Sequence, residues 1–265
     1  MRASVIAVCL GLALAVACYL NFSGAVPRLI HLAGPFKPTE VRSERIDYDL
    51  NPEVETFLVY VPRSYDGSVP YGLIDYTYSD DEITRLPQGW KAVLDRRRYI
   101  FVAARNAGNT QSNSRRYGLA VMGAQLIMND HAIDPNRVFA AGLSGGARTA
   151  SDLGFYQPDL FKGSIQSCGT NFFRSTPEVD RDPVADAGYG EMQANDVEIM
   201  RARPFRFALV TGPGDFRHGA ILDIFHGGFE AEGFNAKLFD VPGMGHQDAD
   251  GQTLEKALNF LETGK

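Results

Sequence analysis

Cysteine is scarce in this chain: Cys9, Cys18 and Cys168 are the only three in 265 residues. That excludes a small scaffold stapled by disulfides. Any cleavage near the N-terminus removes Cys9 and leaves Cys18 with Cys168 as the sole intramolecular pairing. No disulfide is expected, because a domain of this length is held by its core. Basic residues are not in excess either. Lys and Arg number 26 against 32 Asp and Glu, for a net charge of -6, and the cations are scattered, so the electrostatic footprint of a nucleic-acid binder is missing. Internal repeats and low-complexity tracts are also absent, which argues against a repeat architecture.

One long apolar run does occur, at the very start. Arg2 is followed by an apolar stretch over residues 3–20, the pattern of an export signal, and long enough to serve instead as an uncleaved anchor helix. Two processing sites compete. Leu14-Ala15-Val16-Ala17-Cys18 resembles a lipobox, which would make Cys18 a lipidated membrane tether, and Ser23-Gly24-Ala25 suits small-x-small cleavage. Residues 1–25 are therefore expected to be a signal, 26–40 a linker containing His31, and 41–265 one folded domain.

Within that domain short apolar runs alternate with helical periodicity. Residues 45–50 and 55–61 suit an antiparallel edge pair. Runs at 72–76, 99–103, 137–141, 163–167, 206–211 and 237–241 are flanked by turn residues and suit strands covered on both faces. Helices are expected at 81–98, shortened by Pro87, and at 116–130, 149–156, 220–232 and 252–262. The alternation predicts an α/β fold with a mostly parallel central sheet and helices on both faces. Residues 170–204, rich in Asp, Pro, Gly and Arg, break the pattern and read as an irregular excursion, either surface or flap.

The chemistry centres on Gly142-Leu143-Ser144-Gly145-Gly146, a G-x-S-x-G between an expected strand and an expected helix. Ser144 falls at a strand's carboxyl end, where open α/β sheets bind ligands. A serine nucleophile needs a base, and the base needs an orienting acid. Of five histidines, His246 stands in a glycine-rich loop after the last expected strand, whereas His218, His226, His131 and His31 read as surface or packing residues. Asp215, in the turn Gly212-Pro213-Gly214-Asp215, is the candidate acid. Asp240 sits in a strand end, Asp223 on a helix face, and Asp248 and Asp250 at the start of the last helix. The backbone of Gly145 and the loop near Tyr78 are the candidate oxyanion donors. Such a site calls for neither cofactor nor metal.

Together these motifs resemble the compact esterases related to polyhydroxybutyrate depolymerases and feruloyl esterases. The resemblance runs from Phe57 to the C-terminus on Val61-Pro62-Arg63-Ser64-Tyr65, Asp134-Pro135-Asn136-Arg137-Val138, the Ser144 motif, Tyr156-Gln157-Pro158-Asp159-Leu160-Phe161 and Gly245-His246. It implies an α/β-hydrolase domain without a large cap, hydrolysing carboxylic esters through an acyl-enzyme, with a triad of Ser144, Asp215 and His246. One departure stands out: where such esterases usually carry His-Gly after the oxyanion strand, this chain has Tyr76-Thr77-Tyr78-Ser79-Asp80-Asp81. Two rival readings are a peptidase related to the prolyl oligopeptidases and a non-catalytic envelope protein that has kept the fold.

Overall fold

A computed structural model of the chain describes residues 50–174, 176–177 and 194–265. The expected signal, the linker, Cys18, His31, all but the last residue of the strand at 45–50 and much of the 170–204 excursion lie outside these residues. The described chain forms a seven-stranded sheet in the order β1-β3-β2-β4-β5-β6-β7. Its strands are β1 Phe57–Tyr60, β2 Tyr71–Thr77, β3 Tyr99–Ala104, β4 Ile133–Leu143, β5 Gly163–Ser167, β6 Arg206–Thr211 and β7 Ala236–Asp240. Only β1 is antiparallel to its neighbour, β3; every other pair is parallel.

The helices are α1 Trp90–Arg97, α2 Asn113–Asp130, α3 Gly145–Tyr156, α4 Ala194–Ala202, α5 His218–Ile224 and α6 Gly251–Thr263. A wider-turned segment, Phe225–Glu230, carries α5 onward. Period-two alternation splits each central strand between two cores. Leu73, Ile100, Val138, Phe207 and Leu209 face α2, α3 and α5. Ile74, Phe101, Phe139, Ala208 and Val210 face α1 and α6. Residues apolar on both faces can only be covered by helices on both sides, and that is the layer structure found.

Several boundaries differ from expectation, among them the start of the helix expected at 149–156, which is found at Gly145, and three have a local cause. The helix expected at 81–98 is confined to Trp90–Arg97. Pro87 cannot stand inside the expected helix, Gly89 at φ 80° breaks the helical path just before Trp90, and the Asp81 carboxylate is occupied in a loop instead, accepting from Gly108 N at 2.9 Å and Thr110 Oγ1 at 2.9 Å. β4 begins at Ile133 rather than at 137, because Ile133 still pairs with Tyr71 across an irregularity in the register. The helix expected to run unbroken over 220–232 loosens after Ile224. Gly227-Gly228 is a weak helix former there, and a Cβ at Gly228 would stand 3.3 Å from the Phe172 ring.

Candidate active site

β4 ends in a sharp turn whose close packing requires glycine at Gly142 and Gly146. Ser144 holds φ 57° and ψ -116°, a strained conformation for a residue with a side chain. What holds it is close packing: a Cβ at Gly142 would come within 2.3 Å of the Gly146 carbonyl carbon, and one at Gly146 within 1.9 Å of the Thr77 carbonyl oxygen. Ser144 N donates to Ser167 O at 2.8 Å, tying the turn to the end of β5. α3 starts at once, and its first amides, including that of Gly145, have no intrahelical acceptor.

Two loops bring the other residues to the same edge. After β6, the turn to Asp215 is closed by Asp215 N donating to Gly212 O at 2.9 Å. Gly214 N donates to Met244 O at 2.9 Å, locking this turn to the loop after β7. His246 Nδ1 meets Asp215 Oδ1 at 2.7 Å. Asp215 Oδ1 also accepts from Arg217 N at 3.0 Å, and Oδ2 from Thr211 Oγ1 at 2.8 Å. Burial alone would raise the Asp215 carboxyl, but the hydrogen bonds from His246, Arg217, Thr211 and Cys168 outweigh it and hold the group below the usual carboxylate range. With Nδ1 committed to Asp215, Nε2 has no protein partner among the described residues.

Ser144 Oγ is not hydrogen-bonded to His246 among the described residues. Such contacts are often long before substrate binds. The two residues do border one segment. A Cβ at Gly169 would stand 2.2 Å from Ser144 O. The neighbouring Cys168 thiol approaches Gly245 O at 3.5 Å and Gln247 O at 3.3 Å, on either side of His246.

The loop after β2 lies against the start of α3. The Tyr78 carbonyl carbon is 3.3 Å from the Cβ position of Gly146, and the Asn109 carboxamide covers Gly145. This loop is fixed from outside: Asn109 N donates to Ser79 O and Asn106 N to Asp81 O, each at 2.8 Å. Asn109 had no distinguishing signal in the sequence.

The other candidates are elsewhere. His218 pairs with Asp240 at 3.0 Å and His226 with Glu230 at 2.7 Å. The His131 ring lies beside Tyr65, and Asp223 is exposed on α5. Asp250 caps α6, accepting from Thr253 N at 2.8 Å. The expectation for Asp248 is corrected: it does not begin the helix but turns inward to Tyr76 Oη at 2.6 Å. Nothing local in the sequence marks this contact, since the two residues are far apart in the chain.

Sequence also did not mark Cys168, whose thiol lies with an Asp215 oxygen and a His246 nitrogen, all within 4.8 Å of one another. Thiol, carboxylate and imidazole are zinc-type donors. Here, however, burial and the Asp215 charge push the thiol up to about 12, and Asp215 and His246 point at each other. The group fits a hydrogen-bonded cluster better than a ligand set.

Comparison with known proteins follows this geometry. No protein-family model matches the chain. A poly(3-hydroxyalkanoate) depolymerase from Paucimonas lemoignei is 24% identical over 163 residues, 52% of this chain and 39% of that protein. The chain thus matches well under half the length of that curated relative. Among solved structures, a poly(3-hydroxybutyrate) depolymerase from Bordetella parapertussis is 18% identical, with a TM-score of 0.54 over 80% of this chain and 86% of that one. A ferulic acid esterase is 17% identical, with a TM-score of 0.57 over 78% and 92%. The fold is that of the α/β-hydrolases, as the sequence motifs lead one to expect.

Proposed function

We propose that the protein is a serine esterase in which Ser144 is the nucleophile, His246 the base and Asp215 its orienting acid. The observation that carries this reading is the Asp215–His246 bond at 2.7 Å at the same edge of the sheet as a serine held at φ 57° on a strand-to-helix turn. Ser144 Oγ attacks the acyl carbonyl carbon while its proton passes to His246 Nε2. The carbonyl oxygen becomes an oxyanion, received by the backbone N–H groups of Gly145 and the Tyr78 loop. The imidazolium formed is stabilised by the Asp215 carboxylate and gives its proton to the departing alcohol. Water, deprotonated by the same nitrogen, then cleaves the acyl-enzyme and releases the acid.

The substrate class is supported by the names of the similar proteins and by Phe216. This ring is 78% exposed, yet it lies on His246 with centroids 4.3 Å apart. An exposed aromatic on the catalytic base offers an apolar wall to one side of the ester, which suits hydroxyalkanoate oligomers or aromatic acyl groups on polysaccharide. The N-terminal run over residues 3–20 supports export to reach such polymers. Among the described residues no helix is long and apolar enough to cross a membrane.

Phe216→Ala tests the substrate side. Loss of roughly 50 Å2 of apolar contact at about 25 cal/mol per Å2 is worth about 1.3 kcal/mol, or roughly tenfold in kcat/KM. That loss is expected on hydroxybutyrate-oligomer or feruloyl esters, with p-nitrophenyl acetate changed by less than about threefold. Equal losses on acetate and on the larger esters would refute the apolar wall.

A further inference from the structure

The unusual tyrosine near the end of the oxyanion strand has a partner. Tyr76, near the end of β2, is buried, and its hydroxyl donates to Asp248 Oδ1 at 2.6 Å. Asp248 stands in the loop that presents His246. Burial and the neighbouring carboxylate raise the Tyr76 hydroxyl well above its usual range, so it remains the donor. Burial pushes the Asp248 carboxyl up to about 6, against the pull of the Tyr76 bond. Among the described residues Asp248 forms no ion pair, so the tyrosine is the main group holding its charge.

The same loop is gripped at its backbone by other elements. Trp90 Nε1 donates to Ala249 O at 2.7 Å, and Ala249 N donates to Ser167 Oγ at 3.3 Å. The Tyr76 ring is itself fixed by edge contact with Trp90 and by Phe101, each at 5.6 Å between centroids. A rigid tyrosine on β2 is therefore bonded to the segment just after the base, and the same strand leads within two residues to Tyr78 at the start of α3.

From this juxtaposition we infer that Tyr76 and Asp248 are a positioning pair, holding the His246 loop in register with the Ser144 turn and the Tyr78 backbone. The inference rests on the Ser144–His246–Asp215 reading given above. A single hydroxyl–carboxylate bond spans the sheet's carboxyl edge and connects the part of the site that receives the oxyanion to the part that moves the proton. Neither residue touches the reacting atoms. Their effect is on where Nε2 sits, and a displacement of about 1 Å at such a position is enough to cost one to two orders of magnitude in rate.

Steady-state kinetics on p-nitrophenyl acetate at pH 8 and the rate of labelling by a fluorophosphonate probe test the pair together. Tyr76→Phe keeps the ring and loses the hydroxyl; Asp248→Ala loses the acceptor; Asp248→Asn keeps an acceptor oxygen. The first two variants are expected to lower kcat and the labelling rate by on the order of tenfold or more, with KM within about twofold. Asp248→Asn is expected to retain kcat within about threefold, and the double variant Tyr76→Phe/Asp248→Ala to be no slower than the slower single, as for two ends of one contact.

Parental kcat and labelling in both Tyr76→Phe and Asp248→Ala would overturn the inference. So would losses that multiply in the double variant, losses confined to KM, or an Asp248→Asn variant as slow as Asp248→Ala. Failure of the parent protein to label at Ser144 would mark a different fault, removing the serine-esterase reading and this one with it.

Discussion

Asp215→Ala is expected to lower kcat on any ester the protein turns over by about four orders of magnitude, the scale of removing the acid alone from a Ser-His-Asp unit. The geometry gives the reason. Asp215 Oδ1 receives both His246 Nδ1 and Arg217 N, at 2.7 and 3.0 Å. Removing the side chain frees the imidazole to take the wrong tautomer and leaves the imidazolium without its counter-charge. Asp215→Asn is expected to cost several orders of magnitude as well, because an amide NH2 turned to His246 Nδ1 selects the wrong tautomer and an amide oxygen there still lacks the counter-charge. Asp223→Ala, on the exposed face of α5, is the matched control and should change kcat by less than about twofold. Equal kinetics for Asp215→Ala and Asp223→Ala would remove Asp215 from the mechanism.

Gly146→Ala carries the second large effect. A Cβ there would lie 1.9 Å from the Thr77 carbonyl oxygen and 3.3 Å from the Tyr78 carbonyl carbon. Those are backbone atoms, so a rotamer change cannot relieve the clash: the start of α3 must move away from the end of β2. Overpacking of this kind costs about 1–3 kcal/mol of stability. It also parts Gly145 from the Tyr78 loop, and losing one oxyanion donor costs about 10²–10³ in kcat. A drop in kcat of at least a hundredfold with a lowered Tm is expected. Gly219→Ala, where a Cβ meets nothing within 4 Å, should leave kcat unchanged and raise stability by roughly 0.4–1 kcal/mol. If Gly146→Ala kept parental kcat, the two sides of the oxyanion site would not be in contact as described.

The strand at 206–211 is legible to the residue because it is a short apolar run covered on both faces, whereas the equally well bounded strand at 163–167 has Ile165 as its one large apolar residue and buries Ser164, Gln166 and Ser167. Ser144, Asp215 and His246 stand out by a different rule: chemistry in α/β sheets gathers at strand ends, and all three follow a strand in the chain. What sequence did not disclose depends on partners distant in the chain. Asp248 looks like a helix-start carboxylate, and only folding brings Tyr76 against it across the sheet edge. Cys168 looks like an ordinary small core residue after β5, and its place beside Asp215 and His246 follows from the pairing of β5 with β6. Asn109 lies in a polar loop with nothing local to distinguish it. The late start of the helix expected at 81–98 was signalled by Pro87, but the loop's use of Asp81 to bind Gly108 and Thr110 was not.

The central claim, that Ser144 is an activated nucleophile, is tested most directly by labelling the parent protein and Ser144→Ala with a fluorophosphonate and locating the adduct by peptide mass spectrometry. The account predicts one adduct per chain, on Ser144, and neither labelling nor hydrolysis of p-nitrophenyl acetate above background in Ser144→Ala. An adduct on another residue, or an Ala variant that hydrolyses the ester at the parental rate, would contradict it.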